Sequence, residues 1–127
     1  MRLGAFGSGT PDAAVFTQVQ VEAGRAEYHA RCAVCHGADL SGSRDVPPLA
    51  GPDFLATWGS QTTLDLFRYA RTMPPGGRGL TEEQYLNVVA FVLHRNGAAS
   101  GETPLGPSAA VRIDGLVPRG AEADRGR

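Results

Sequence analysis

The chain has 127 residues, 13 acidic and 12 basic, giving a formal charge of −1 and a pI of about 6.3. That length allows one domain with a modest core plus tails, and the near-neutral balance gives no reason to expect nucleic acid or an anionic membrane surface as partner. All 12 basic residues are arginine, no hydrophobic run reaches the length of a membrane span, and Met1 to Thr10 lacks the basic start and apolar core of a signal peptide.

Residues 1–15, rich in Gly, Ala and Ser, read as a flexible lead-in, in which Thr10-Pro11 can open a short turn as cap and first residue. The first firm helix opens at Thr17. Thr17-Gln18-Val19-Gln20 is a capping box, the Thr17 hydroxyl accepting from the Gln20 N–H while the Gln20 side chain reaches back, with Phe16 and Val21 at the staple positions. The predicted helix runs to about Ala33. Gly24 inside it costs roughly 1 kcal/mol relative to alanine, so its presence points to close approach by another backbone. Tyr28, four residues on, shares its face, and His29 is read as solvent-facing.

Cys32-Ala33-Val34-Cys35-His36 carries the chemistry of the chain. Cys-x-x-Cys-His is the attachment spacing of a haem bound covalently through two thioethers. On a roughly helical segment, two cysteines three positions apart lie about one turn apart on one face, within reach of the two vinyl groups on a porphyrin edge. The next residue, His36, can then offer its imidazole as the proximal axial ligand. A thioredoxin-like redox pair would need a βαβ setting, and a zinc site would need four ligands where the chain has only two cysteines. Attachment uses both thiols and leaves none for a disulfide.

From Gly37 to Gly59 the glycines, prolines and short apolar runs describe an irregular loop, with at most a short helix after Gly51-Pro52. A third helix is predicted from about Thr63 to Arg71, opened by Thr62 with Asp65 as an approximate capping pair and with Leu64 and Phe67 at helical spacing. It stops before Pro74, because two prolines and two glycines in Met73-Pro74-Pro75-Gly76-Gly77 force an extended turn. On that turn stands Met73, the one methionine besides Met1. A thioether on a proline-stiffened loop suits a sixth iron ligand. His94 is its rival, but it sits with Arg95 near the end of the last helix, where a cation favours the dipole.

That last helix has its own capping box, Thr81-Glu82-Glu83-Gln84, with Leu80 and Tyr85 as staple. Tyr85, Val88, Val89 and Val92 form its apolar stripe, broadened by Phe91 and Leu93, and Asn96-Gly97 supplies the stop. Val88 and Phe91 are the candidates to cross Gly24 and Tyr28. Residues 98–127 read as a loop-rich tail, pinned to the body by Leu105, Val111 and Ile113. Leu116-Val117-Pro118-Arg119-Gly120 within it resembles a thrombin-cleavage sequence, either a processing scar or native chain.

Taken in order, Gly24 and Tyr28, Cys32-Ala33-Val34-Cys35-His36-Gly37, Pro47-Pro48-Leu49-Ala50-Gly51, Trp58, Thr72-Met73-Pro74-Pro75-Gly76 and a final apolar helix make the chain resemble a class I cytochrome c over residues 16–97. It is most similar in pattern to the small bacterial ones that serve or are fused to quinoprotein dehydrogenases. The resemblance implies an all-α cytochrome c fold, three main helices plus loops wrapped around one covalently attached haem c. It further implies that the last helix crosses the first at Gly24, and that the Pro47 carbonyl accepts the proton on the His36 nitrogen facing away from the iron. Leu49 would then be haem wall, Trp58 a donor to a haem propionate, and Met73 the second axial ligand. Attachment of this kind takes place outside the cytoplasm, so the expected location is periplasmic or otherwise extracytoplasmic, with a signal sequence already removed.

Two filled axial positions leave no open site for a substrate, so the expected function is one-electron transfer and not catalysis, as a soluble carrier or as the electron-accepting cytochrome domain of a dehydrogenase. The expected partners are redox proteins, a dehydrogenase as donor and an oxidase or other cytochrome as acceptor. With no lysine available, docking must rest on a small apolar patch and a few arginines, and the isolated chain is expected to be a monomer. The alternative is a five-coordinate haem that binds gases or turns over peroxide, which requires that Met73 not be a stable ligand.

Overall fold

The computed structural model describes residues 14–73 and 80–117. The Thr10-Pro11 turn, the Pro74-Pro75-Gly76-Gly77 turn and Pro118-Arg119-Gly120 therefore lie outside the described residues. Among the described residues five α-helices follow one another, α1 Gln18–Arg31, α2 Ala33–His36, α3 Pro52–Trp58, α4 Thr63–Ala70 and α5 Glu82–Arg95, with a 3-10 turn at Ile113–Gly115. Among the described residues there is no strand, only single bridges that join Thr17 to Gly101, Ser43 to Val46 and Thr62 to Arg112. The fold is all-α.

The three longer capped helices start where their sequences dictate. Thr17 and Gln20 exchange both capping bonds, at 3.1 and 3.2 Å. Thr62 and Asp65 do the same at 3.0 and 3.2 Å, and Thr81 and Gln84 at 2.8 and 3.1 Å. Each such cap satisfies two backbone donors that the helix itself cannot, typically contributing about 1 kcal/mol. At its other end α5 closes in a Schellman turn, the Ala98 N–H donating to Leu93 O at 3.1 Å and the Gly97 N–H to His94 O at 2.9 Å, with Gly97 at φ +105°. The first helix ends at Arg31 rather than Ala33, because Cys32 starts a separate turn: its carbonyl accepts from both Cys35 N and His36 N, at 3.1 and 2.9 Å.

Helices α1 and α5 make the principal helix contact. Gly24 allows it, since a Cβ there would lie 1.9 Å from Asn87 O and 3.0 Å from the Phe91 Cβ. Tyr28 packs its ring against Phe91, centroids 5.4 Å apart. Phe91 thus crosses as the sequence suggests, but the residue beside Gly24 is Asn87 and not Val88. Asn87 lies four positions before Phe91 and so shares its face, whereas Val88 is turned about 100° away, into the core.

Around this crossing the core gathers Phe16, Val21, Tyr28, Leu40, Phe54, Leu66, Phe67, Val89, Phe91 and Leu93. Residues 98–117 form part of the same core. Leu105, Ile113, Leu116 and Val117 are buried in it, so the first two residues of the thrombin-like sequence belong to the folded body. The backbone of this tail is tied down along its length, Gly101 N to Phe16 O at 2.7 Å, Ile113 N to Gln61 O at 2.8 Å and Asp114 N to Gly59 O at 2.8 Å. Side chains add to it: Gln20 exchanges bonds with the Leu105 backbone, and the buried Thr63 hydroxyl donates to Ala109 O at 2.8 Å and accepts from Val111 N at 3.1 Å.

Candidate functional site

The motif occupies the end of α1 and the single turn of α2. Cys32 caps α1 through its N–H to Tyr28 O at 2.7 Å, and α2 then carries Val34, Cys35 and His36 before Gly37 ends it at φ +88°. Tyr28 holds that exit in place, its hydroxyl donating to Gly37 O at 2.5 Å. Burial pushes this hydroxyl up to about 12, so it stays protonated and a donor at any ordinary pH.

Beyond Gly37 the chain makes a closed loop that returns to the motif. The Gly42 N–H donates to His36 O at 2.8 Å, Ser43 and Val46 pair across a tight turn, and Leu49 N donates to Leu40 O at 2.8 Å. Glycine is needed at 42, where φ is +76° and a Cβ would lie 2.4 Å from Val46 O. Leu40 sits at φ +66°, a left-handed conformation that costs a non-glycine residue about 1–3 kcal/mol. Complete burial of its side chain offsets a comparable amount.

This loop brings Pro47 O to 3.1 Å from His36 Nδ1. A carbonyl can only accept, so Nδ1 carries the proton, which in a neutral imidazole leaves the lone pair on Nε2. That is the tautomer an imidazole needs to bind a metal through Nε2. Cys32 is half-buried and Cys35 exposed, both as free thiols, with Val34 between them 88% exposed. Burial, with the nearby Glu27 and Cys35, pushes the Cys32 thiol above its ordinary value. Among the described residues no three His, Cys, Asp or Glu side chains converge as a metal site. Two free thiols beside a metal-ready imidazole do fit a covalently attached haem.

The remaining sequence candidates come from other segments, each anchored by its own neighbours. Leu49 is half-buried in the returning loop, and its carbonyl accepts from Asn96 Nδ2 at 3.0 Å. Trp58, at the end of α3, is half-buried against Tyr69, ring centroids 5.5 Å apart. Met73 follows α4, its N–H donating to Ala70 O at 2.9 Å and its carbonyl accepting from the Tyr85 hydroxyl. His94, the rival ligand, stands at the end of α5, Nδ1 lying 3.2 Å from Ala98 O and the ring edge-on to Phe16. His29 is exposed, edge-on to Tyr28.

Three supporting residues carried no local signal of their task. Asn96 reads in sequence as a helix stop, Tyr85 as a staple and Tyr28 as a packing ring. Their polar atoms instead reach Leu49, Met73 and Gly37.

A family model described as cytochrome c oxidase, cbb3-type, subunit III matches residues 19–92. That is more than half of the chain, and it takes in the Cys-x-x-Cys-His motif, Pro47, Trp58 and Met73. The chain belongs to the cytochrome c family, as a class I mono-haem member, and its role is haem-based electron transfer.

Proposed function

We propose that this member of the cytochrome c family passes single electrons through one haem c, attached at Cys32 and Cys35 and ligated by His36 and Met73. We place it outside the cytoplasm, as a carrier or as the electron-accepting domain of a dehydrogenase. The observation that supports this best is the pairing of His36 Nδ1 with Pro47 O directly after two free thiols on one helical turn.

The haem supplies one-electron exchange between ferric and ferrous iron. The protein supplies the setting. Cys32 and Cys35 hold the porphyrin edge, and Pro47 keeps His36 in one tautomer and one orientation. Leu49 offers an apolar wall and Trp58 an indole N–H suited to a propionate. Tyr85, whose hydroxyl donates to the Met73 carbonyl, would restrain Met73 as it holds the iron. The matching family's description names an oxidase subunit, which supports an oxidase among the acceptors, while a quinoprotein dehydrogenase as donor rests on the likeness of the motifs.

The test is the spectrum of the ferric holoprotein. It is expected to be low-spin with the weak far-red band of methionine ligation, and Met73→Ala should abolish that band and lower the reduction potential by on the order of a hundred millivolts. An unchanged band and potential in the variant would show that Met73 is not the ligand. A high-spin spectrum in the unaltered protein would favour the five-coordinate, gas- or peroxide-binding alternative.

A further inference from the structure

Asn96 is a polar side chain only 5% exposed, and all of its amide hydrogen-bonding groups are engaged. One Nδ2 proton goes to Val92 O in its own helix at 2.8 Å and the other to Leu49 O at 3.0 Å, while Oδ1 accepts from Gly51 N at 2.9 Å. The last two bonds span 47 and 45 positions of sequence. They grip both ends of one turn, Leu49 to Gly51, against the end of α5.

Pro47 stands two residues before that grip, with Pro48 between. Both prolines have φ locked, and a residue that precedes proline is confined to extended backbone. Once Leu49 is held, the Pro47 carbonyl has little freedom left. Its oxygen is the one that faces His36 Nδ1.

We propose that Asn96 is a positioning residue for the axial histidine: by gripping Leu49 and Gly51 it fixes the Pro47 carbonyl on His36 Nδ1, and through that bond it helps set the orientation and basicity of the imidazole. This rests on the reading of His36 as the iron ligand. A bond from the second nitrogen raises the basicity of a ligating imidazole, and a more basic imidazole favours ferric iron. Loosening the grip must therefore shift the couple toward ferrous. A side chain that merely capped α5 would alter stability and leave the couple alone.

The holoprotein is compared as wild type, Asn96→Ala and Thr63→Val. The last removes a buried hydroxyl whose bonds go to Ala109 and Val111 and not to the loop. At one fixed ambient potential, Asn96→Ala is expected to raise the ferrous-to-ferric ratio at least threefold, equivalent to about 28 mV at 59 mV per tenfold for one electron. Thr63→Val is expected to leave the ratio unchanged. An unchanged ratio in Asn96→Ala, or an equal change in both variants, overturns the proposal.

Should Asn96→Ala not fold, the wild-type holoprotein still decides by NMR. The His36 Nδ1 proton and the Gly51 amide proton are expected to exchange through one shared opening, with the same dependence on denaturant. Independent exchange overturns the proposal. The same spectra separate it from its premise: His36 ring resonances without the large shift of an iron-bound imidazole remove both, whereas shifted resonances with uncoupled exchange remove only the role of Asn96.

Discussion

Gly24 lies against the backbone of Asn87 so closely that a Cβ on the first would sit 1.9 Å from the carbonyl oxygen of the second. The obstacle is main chain and cannot swing aside, so Gly24→Ala must push α1 and α5 apart. Overpacking of this kind costs about 1–3 kcal/mol or more, and the gain in helix propensity, about 1 kcal/mol, does not cancel it where backbone meets backbone. A denaturant midpoint for the Gly24→Ala holoprotein equal to or above that of the wild type would show that the crossing is not as tight as described.

Tyr85 offers a cleaner probe of the methionine loop. Tyr85→Phe keeps the buried ring and removes only the hydroxyl that donates to Met73 O. A bond of this kind contributes about 1 kcal/mol, so, with Met73 as the ligand proposed above, its displacement from ferric iron by an added ligand such as cyanide should become roughly fivefold more favourable. Titration of the far-red band with cyanide measures it. Equal affinities in the two proteins would mean that the hydroxyl does not restrain Met73.

The tail is a structural member of the fold although it lies beyond the family match. Ile113 is completely buried, and its N–H reaches Gln61 O at the α3–α4 junction. Ile113→Ala should cost about 2–5 kcal/mol, the usual range for truncating a buried aliphatic side chain. If thermal unfolding of the holoprotein moved by less than a degree or two, the tail would be ornament on an independent body.

What the sequence made legible follows the range of each interaction. Capping boxes at Thr17, Thr62 and Thr81 involve residues three apart, and all three are present in the fold. Gly24 announces a close crossing, yet the valine stripe points to Val88 where the neighbour is Asn87, because a stripe of valines does not say which rotation of α5 meets a bare backbone. Residues 98–117 have no helical period, since their order comes from bonds to Phe16, Gln20, Gly59, Gln61 and Thr63 far back in the chain. The cysteine pair and His36 stand out in the sequence because covalent attachment demands that spacing, and the pairing of His36 with Pro47 that the resemblance implies is present in the fold. The Asn96 grip does not stand out, because nothing local distinguishes a capping asparagine from one that reaches 47 positions back.

Alkaline pH should weaken the fold through Tyr28. Burial raises its hydroxyl to about 12 in the folded protein, whereas the unfolded chain loses that proton near pH 10. Between these values the folded state holds more protons than the unfolded one, so stability is intact below about pH 10 and falls as pH rises toward about 12, by about 2 kcal/mol. Tyr28→Phe should be less stable at neutral pH by about 1 kcal/mol, through loss of the bond to Gly37, but its stability should fall less steeply above pH 10. Urea unfolding of both proteins at pH 8, 10 and 11 provides the comparison, and parallel losses would assign the alkaline sensitivity to other groups.

Docking is the step on which charge and apolar surface make opposite forecasts. Between Phe16 and Gly97 the sequence has seven arginines, at 25, 31, 44, 68, 71, 78 and 95, and eight acids, at 22, 27, 39, 45, 53, 65, 82 and 83. The propionates of a bound haem make this body more acidic still, but not strongly so. Long-range steering needs a large or well-separated charge, so its contribution here is small. Val34, 88% exposed in the middle of the Cys-x-x-Cys-His motif, is the sequence candidate for apolar contact with a partner that falls among the described residues; Pro74 and Pro75, the other two candidates, lie outside them. Two outcomes follow for electron transfer to a redox partner, measured by stopped flow. The rate should fall only weakly between low and physiological salt, where the Debye length shortens to about 8 Å. Val34→Asp should slow it severalfold at both salt concentrations, because a carboxylate at the centre of an apolar contact must be desolvated whatever the ionic strength. A tenfold loss of rate with salt in the wild type would instead locate recognition in a charged patch, with Arg44, Arg71 and Arg78, the last outside the described residues, as the first residues to replace.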